Sequence, residues 1–184
     1  MPLLYDKAIK VFKTSCGPYD NNAYLIVCPQ TDHSIIIDAP MWPQELLDEA
    51  KNTVVKAVLI THNHKDHLAG LKEIVDATGA PVQAHGEDAA ALPIPPSSLV
   101  NDGDTITVGT ITLKVIHTPG HTPGSVCYLV GNHLFSGDTL FPGGPGRSGS
   151  PQDLRQTIKN ITEKLYVLPD DTFLLPGHGQ DSTI

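Results

Sequence analysis

The sequence predicts an α+β chain in which two sheets pack face to face with helices outside. The order of elements points there. Strands, helix, strand and helix run through the first half, and strands, helix and strand repeat through the second. No linker is long enough to divide the chain, so residues 1–184 are expected to form one domain.

Taken in order, Ile9 to Thr14 partly alternates and reads as a strand. Asn22 to Cys28 and Ser34 to Ile37 read as two more, joined by a polar turn at Pro29 to His33. Pro43 opens a short helix with Leu46, Leu47 and Ala50 on one face. The β-branched run Val54 to Ile60 has no helical period and reads as a buried strand. Leu68, Leu71, Ile74 and Val75 give a second helix, stopped near Gly79. Pro81 to Ala84 is a short strand, Gly86 to Ala91 a helical turn, and Pro93 to Ser98 a connector. Short strands follow at Thr105 to Val108, Thr110 to Ile116, Ser125 to Val130 and Leu134 to Phe135. Ser150-Pro151 starts a helix, with Ser as cap and Pro at the first helical position. That helix carries Leu154, Ile158, Ile161 and Leu165 at helical spacing, and Thr172 to Leu175 is a last strand.

Composition narrows the function. The formal charge is −8 and the 12 Lys and Arg are scattered, so no basic stripe marks a nucleic-acid partner. No stretch approaches a membrane span, and the start lacks the charged and apolar regions of a signal peptide. Cys16, Cys28 and Cys127 stand at unrelated spacings, which suits reduced, buried thiols and a cytoplasmic location.

The densest chemistry lies in Thr61-His62-Asn63-His64-Lys65-Asp66-His67, where three imidazoles and a carboxylate follow directly on a buried strand. Imidazole nitrogen and carboxylate oxygen suit Zn²⁺, Fe²⁺ or Mn²⁺. Three more ligand-type side chains sit just past strands beside glycine: His121, Asp138 and His178. None of the cysteines stands near the cluster, so sulfur ligation is not expected. His33 and His133 fall in turns and read as solvated. His117 closes a strand, and His85 is expected to face the rim.

His62-x-His64-x-Asp66-His67 followed by His121, Asp138 and His178 resembles the metallo-β-lactamase fold superfamily. Thr118-Pro119-Gly120-His121-Thr122-Pro123-Gly124-Ser125, Gly137-Asp138-Thr139-Leu140-Phe141 and Pro176-Gly177-His178-Gly179 are similar to the glyoxalase II (hydroxyacylglutathione hydrolase)-like branch. The resemblance runs from about Asn22 to His178. It implies a four-layer αββα sandwich. It assigns His62, His64 and His121 to one metal and Asp66, His67 and His178 to a second, with Asp138 bridging both. Asp38 resembles the aspartate that orients ligands or water in the family.

The implied activity is hydrolysis of a thioester or related ester by metal-activated water, with Asp66 and Asp138 as catalytic groups. Two divalent ions are expected, zinc foremost, with iron or manganese as alternatives. No strong general acid is apparent, and a thiol leaving group, whose pKa is about 8.5, needs none. The substrate is expected to be a small molecule, with no membrane partner. The full-length branch carries a C-terminal helical region for glutathione, which is expected to be absent because the chain ends soon after His178. Arg147, in a Gly/Pro-rich stretch, is the basic residue available to pair with a substrate carboxylate. The competing readings are a mononuclear iron persulfide dioxygenase using His62, His121 and Asp138, a lactone hydrolase of the same fold, and a metal-stabilised binding protein.

Overall fold

The computed structural model describes residues 3–6 and 9–184, with side chains from Ile9 onward. Its first sheet has seven strands in chain order: β1 Leu3–Asp6, β2 Lys10–Cys16, β3 Asn21–Val27, β4 His33–Ile37, β5 Val54–Leu59, β6 Val82–His85 and β7 Ser98–Val100. β1 to β4 pair antiparallel, and β4 to β7 pair parallel. The second sheet contains β8 Thr105–Val108, β9 Ile111–His117, β10 Val126–Val130, β11 His133–Gly137, β14 Phe173–Pro176 and β15 Ser182–Thr183. It is ordered β15-β14-β11-β10-β9-β8, with β14 parallel to β11. A small hairpin, β12 Leu140–Phe141 with β13 Gly144–Pro145, stands apart.

Three apolar layers hold these parts. Between the sheets, Tyr24, Ile35, Ile37 and Leu59 meet Leu113, Val115, Tyr128 and Phe135. Outside the first sheet, Leu25, Ile36 and Val58 pack on Leu46 and Leu47 of α1 (Gln44–Ala50) and Leu71 and Ile74 of α2 (Leu71–Thr78). Outside the second, Ile116, Cys127 and Leu134 meet Ile161 and Leu165. The expected αββα sandwich is therefore present. Strand β3 is buried on both faces because it lies between two of these layers, which is why it reads as a continuous run rather than an alternation.

The local signals operate as expected at several ends. Gly79 closes α2 in the left-handed conformation, φ 65°. Ser150 caps α4 (Pro151–Asn160) by accepting from the Asp153 N–H, with Pro at the first helical position. Pro43 occupies the cap position of α1 rather than a place inside it.

Other expectations need correction. Leu154 and Ile158 are exposed, at 39% and 48%, and α4 buries Thr157 and Asn160 instead. Those polar residues serve the loop before His121: Asn160 donates to the Pro119 carbonyl at 2.7 Å, and Gly120 lies against Thr157. The apolar residues downstream, Ile161 and Leu165, are buried because they continue in a π-helical turn, Ile161–Leu165. His33 and His133 are not turn residues but the first residues of β4 and β11. His133 is only 3% exposed and stacks on Phe173 at 5.0 Å. The connector ending at Ser98 gives way there to β7, and the Gly/Pro-rich stretch holds the β12–β13 hairpin. The three cysteines are free and buried. Among the described residues no helix is long and apolar enough to cross a membrane.

Candidate metal centre

The strand directions bring one set of ends together. Asp38 follows β4, Thr61 and His62 follow β5, His117 closes β9, Asp138 follows β11 and His178 follows β14. Backbone bonds lace the two sheets at this end, from Val126 N–H to the Thr61 carbonyl (2.9 Å) and from Asn22 N–H to the Gly177 carbonyl (2.7 Å). Asp66 and His67 lie in a single 3₁₀ turn, Lys65–His67, separate from α2 rather than at its start.

All seven sequence-predicted His and Asp side chains reach one place. They form two groups of potential donor atoms within 4.8 Å: His62, His64, His121 and Asp138, and Asp66, His67 and His178. The groups adjoin, since Asp138 carboxylate oxygens lie 3.4 Å from His67 Nε2 and 3.5 Å from His178 Nε2 and His121 Nε2. A third grouping, Asp38, His62 and His67, shares two of the same histidines.

The second nitrogen of each ring explains the orientation. His67 Nδ1 faces Asp38 Oδ2 at 2.9 Å, His121 Nδ1 faces the Arg147 carbonyl at 2.6 Å, and His178 Nδ1 faces the Tyr19 carbonyl at 2.8 Å. Each oxygen can only accept, so each Nδ1 donates its proton outward. Each Nε2 is thereby left to point into the centre. His62 Nδ1 lies 3.0 Å from Thr61 Oγ1, and its Nε2 is buried with no hydrogen-bond partner. Asp138 Oδ1 is likewise buried and unpartnered, its 3.4 Å approach to His67 being an ion-pair separation rather than a hydrogen bond.

These observations fit a divalent cation. Inward ring nitrogens meet at 2.9 Å (His64 Nδ1 and His121 Nε2) and 3.1 Å (His67 Nε2 and His178 Nε2). Two lone pairs at such distances repel unless a proton or a cation lies between them. Buried polar atoms without partners call for the same explanation. The donors are all imidazole and carboxylate, as zinc, iron or manganese sites use.

Electrostatics prepare most donors in the ligating form. Burial, aided by neighbouring imidazoles, holds His62 well below the usual histidine range, and burial also lowers His121. Burial opposes ionisation of Asp138, but the neighbouring His178 and His67 imidazoles outweigh it and hold the carboxyl far below its ordinary range. Burial likewise disfavours the Asp66 anion, and the Asn21 amide at 2.9 Å overcomes it. His67 and His178 are the exceptions. Burial pushes both down, but Asp138 raises His178, and Asp38 and Asp138 together carry His67 up to about 10. A cation at His67 would therefore displace a proton.

Asp38 sits where the sequence suggested it would matter, at 2% exposure. Its carboxylate accepts from Thr61 N–H (2.8 Å) and Thr61 Oγ1 (2.7 Å) as well as facing His67. Arg147 has an exposed side chain, and its carbonyl, not its guanidinium, contacts the centre through His121. His85 and His117 stack on each other, rings 3.9 Å apart and 15° from parallel, outside the donor groups. Beside His178 opens a cleft of about 500 Å³ lined by Tyr19, Lys65, Asp66 and His178. Sequence reading missed Asn21 and Tyr19. Asn21 opens β3, where a polar Asn-Asn pair ahead of an apolar strand was the available signal.

A family model described as the Metallo-beta-lactamase superfamily matches residues 16–178. A hydroxyacylglutathione hydrolase of Polaromonas is 38% identical over 166 residues, covering 87% of this chain, and the chain spans 62% of that relative. Among solved structures, the BLEG-1 B3 metallo-beta-lactamase superposes with a TM-score of 0.85 at 30% identity, over 94% of this chain and 93% of that one. ETHE1 from Myxococcus xanthus gives 0.84 at 27% identity, over 94% and 79%. TTHA1623 in a di-iron-bound form gives 0.78 at 30% identity, over 94% of each chain.

Proposed function

We propose that this chain, which belongs to the metallo-β-lactamase superfamily, is a metallohydrolase whose substrates are small thioesters. In this reading His62, His64 and His121 hold one divalent ion, Asp66, His67 and His178 hold a second, and Asp138 serves both. The observation that carries it is the set of outward Nδ1 contacts on His67, His121 and His178, which commits three Nε2 atoms to the centre. The likeness to a di-iron-bound relative supports a pair of ions. Zinc is the expected metal, and the same donors suit iron or manganese.

When bound, the ions supply Lewis-acid polarisation of the scissile carbonyl and lower the pKa of water toward about 7. The chain's own groups do the rest. Asp66, ionised and fixed by Asn21, holds its carboxylate at the mouth of the cleft beside His178. Asp38 keeps the His67 Nδ1 proton outward. Asp138, ionised and 11% exposed at its side chain, offers a carboxylate to both donor groups. Lys65 lines the cleft and offers a cationic side chain to a substrate carboxylate, and Arg147, exposed in the loop whose carbonyl meets His121, is the second cation proposed for that role.

The histidines of the centre are all committed to its geometry, so none of them is free to protonate a poor leaving group. A thiolate, from a thiol of pKa about 8.5, leaves unaided, whereas an amide nitrogen does not. The similarity to a hydroxyacylglutathione hydrolase supports the same class. The competing reading, one iron with oxygen chemistry on persulfides, draws on His62, His121 and Asp138 lying in one donor group. A panel of hydroxyacyl thioesters, lactones, β-lactams and persulfides, run with and without oxygen, separates them. Oxygen-independent thioester cleavage is expected, and persulfide-dependent oxygen uptake as the main activity would overturn the proposal.

A further inference from the structure

We propose that Asp88 is a positioning residue that sets the distance between the His62–His64 loop and the His121 loop, an inference that rests on reading this cluster as a metal centre. Asp88 touches no donor atom of the centre. It lies in α3 (Gly86–Ala89), outside every motif used to recognise the site, and is 1% exposed. Its Oδ2 accepts from Asn63 N–H at 3.0 Å and from Thr122 Oγ1 at 2.6 Å, and its Oδ1 accepts from Gly124 N–H at 2.9 Å.

The three donors come from two separate loops. Asn63 lies between His62 and His64, and Thr122 and Gly124 follow His121. One rigid carboxylate thus joins the segments that carry three of the predicted ligands. At this separation His64 Nδ1 and His121 Nε2 stand 2.9 Å apart. The far side of His121 is fixed independently by the Arg147 carbonyl, so the ring is held between two anchors.

The surroundings are built for this contact. A Cβ at Gly124 would lie 2.6 Å from Asp88 Cγ, so only glycine admits the carboxylate there. Ser125 Oγ accepts from Thr122 N–H at 3.0 Å and lies 2.7 Å from Thr122 Oγ1, aiming that hydroxyl at Asp88. A buried carboxylate is costly unless fully hydrogen-bonded. Here both oxygens must accept. An asparagine would turn its NH₂ toward either the Asn63 N–H or the Gly124 N–H, and one donor would lose its partner.

The test uses Asp88→Asn and Thr122→Val, with Thr122→Ser as the conservative control. Metal-stripped protein is titrated with Co²⁺ and followed by visible absorption. Wild type and Thr122→Ser should take up two equivalents. Asp88→Asn should bind one as wild type does and the other about 10–100-fold more weakly, with an altered spectrum. Thr122→Val, which removes one of the three bonds, should shift the same equivalent by less, and it stands in should Asp88→Asn fail to fold. Two wild-type equivalents, or equal weakening of both, would overturn the proposal. A second readout needs no metal. Ring-proton cross-peaks between His64 and His121 in the stripped protein should be lost with Asp88→Asn and kept with Thr122→Ser. Their persistence in Asp88→Asn counts against Asp88, whereas failure of wild type to take up cobalt counts against the metal centre.

Discussion

Removing the Asp38 carboxylate gives the sharpest energetic test of how the centre is supported. Asp38→Ala leaves three buried donors without an acceptor: Thr61 N–H, Thr61 O–H and His67 Nδ1–H. His67 is 0% exposed at its side chain, so water does not readily take the carboxylate's place. Each orphaned donor costs about 1–3 kcal/mol, which gives an upper range of roughly 3–9 kcal/mol. Asp38 also sits at φ 60°, a conformation Asp and Asn tolerate better than Ala, which adds about 1 kcal/mol. Relaxation lowers the sum, and a net loss of about 3–5 kcal/mol is expected, as for breaking other buried ionic networks. At about 2–4 °C per kcal/mol, the thermal midpoint of the metal-free protein should fall by roughly 6–20 °C. Asp38→Asn keeps one acceptor oxygen and the backbone tolerance, and should lose about half as much. Urea denaturation of the metal-free variants measures both. A loss below about 1 kcal/mol for Asp38→Ala would refute the reasoning, because the three contacts would then carry no net stability.

Three other substitutions probe separate claims. Gly177→Ala places a Cβ against Asp138 Oδ1 and 2.7 Å from His67 Cε1, so thioester turnover should fall at least about tenfold; unchanged turnover would show that the centre yields freely. Burial holds the His133 imidazole below its ordinary pKa, so the unfolded chain takes up that proton first. The stability it contributes is present above about pH 6.5 and lost as pH falls below it, and His133→Phe should give a shallower acid slope in denaturation midpoints. Ile158→Lys, on the exposed side of α4, should change stability by less than about 0.5 kcal/mol, and a loss above about 2 kcal/mol would mean that this face is covered.

What the sequence displayed and what it hid follow from the range of the interactions. The seven donors were legible because each follows a strand and stands beside glycine or another ligand-type residue, which is local information. The four layers were legible because Asn22 to Cys28 and Val54 to Ile60 are largely apolar runs, as buried strands require, although in the second only Ala57 to Ile60 is buried and Val54 to Lys56 reach the surface. The supports were not legible. Arg147 and Tyr19 act through backbone carbonyls, which any residue possesses. Asp88 meets Asn63 and Thr122 from 25 and 34 positions away, a proximity that only the packed sheets create. Helix α4 was misread for a related reason. Its apolar spacing named Leu154 and Ile158 as the buried face, yet Thr157 and Asn160 face inward, where Asn160 donates to the Pro119 carbonyl in the loop before His121 and Thr157, its hydroxyl bonded to Asp153 in its own helix, packs against Gly120. The strands β7, β12, β13 and β15 span two or three residues each, too few for any periodicity to register.

The proposed function turns on Asp138 serving two cations at once. Elemental analysis of purified wild type and Asp138→Ala, each reloaded from the metal-stripped state, tests it most directly. Close to two ions per chain are expected in wild type, and in Asp138→Ala the loss of both ions from tight binding together with thioester turnover. A variant that keeps two ions and full activity, or a wild type that holds a single ion at full activity, would contradict it.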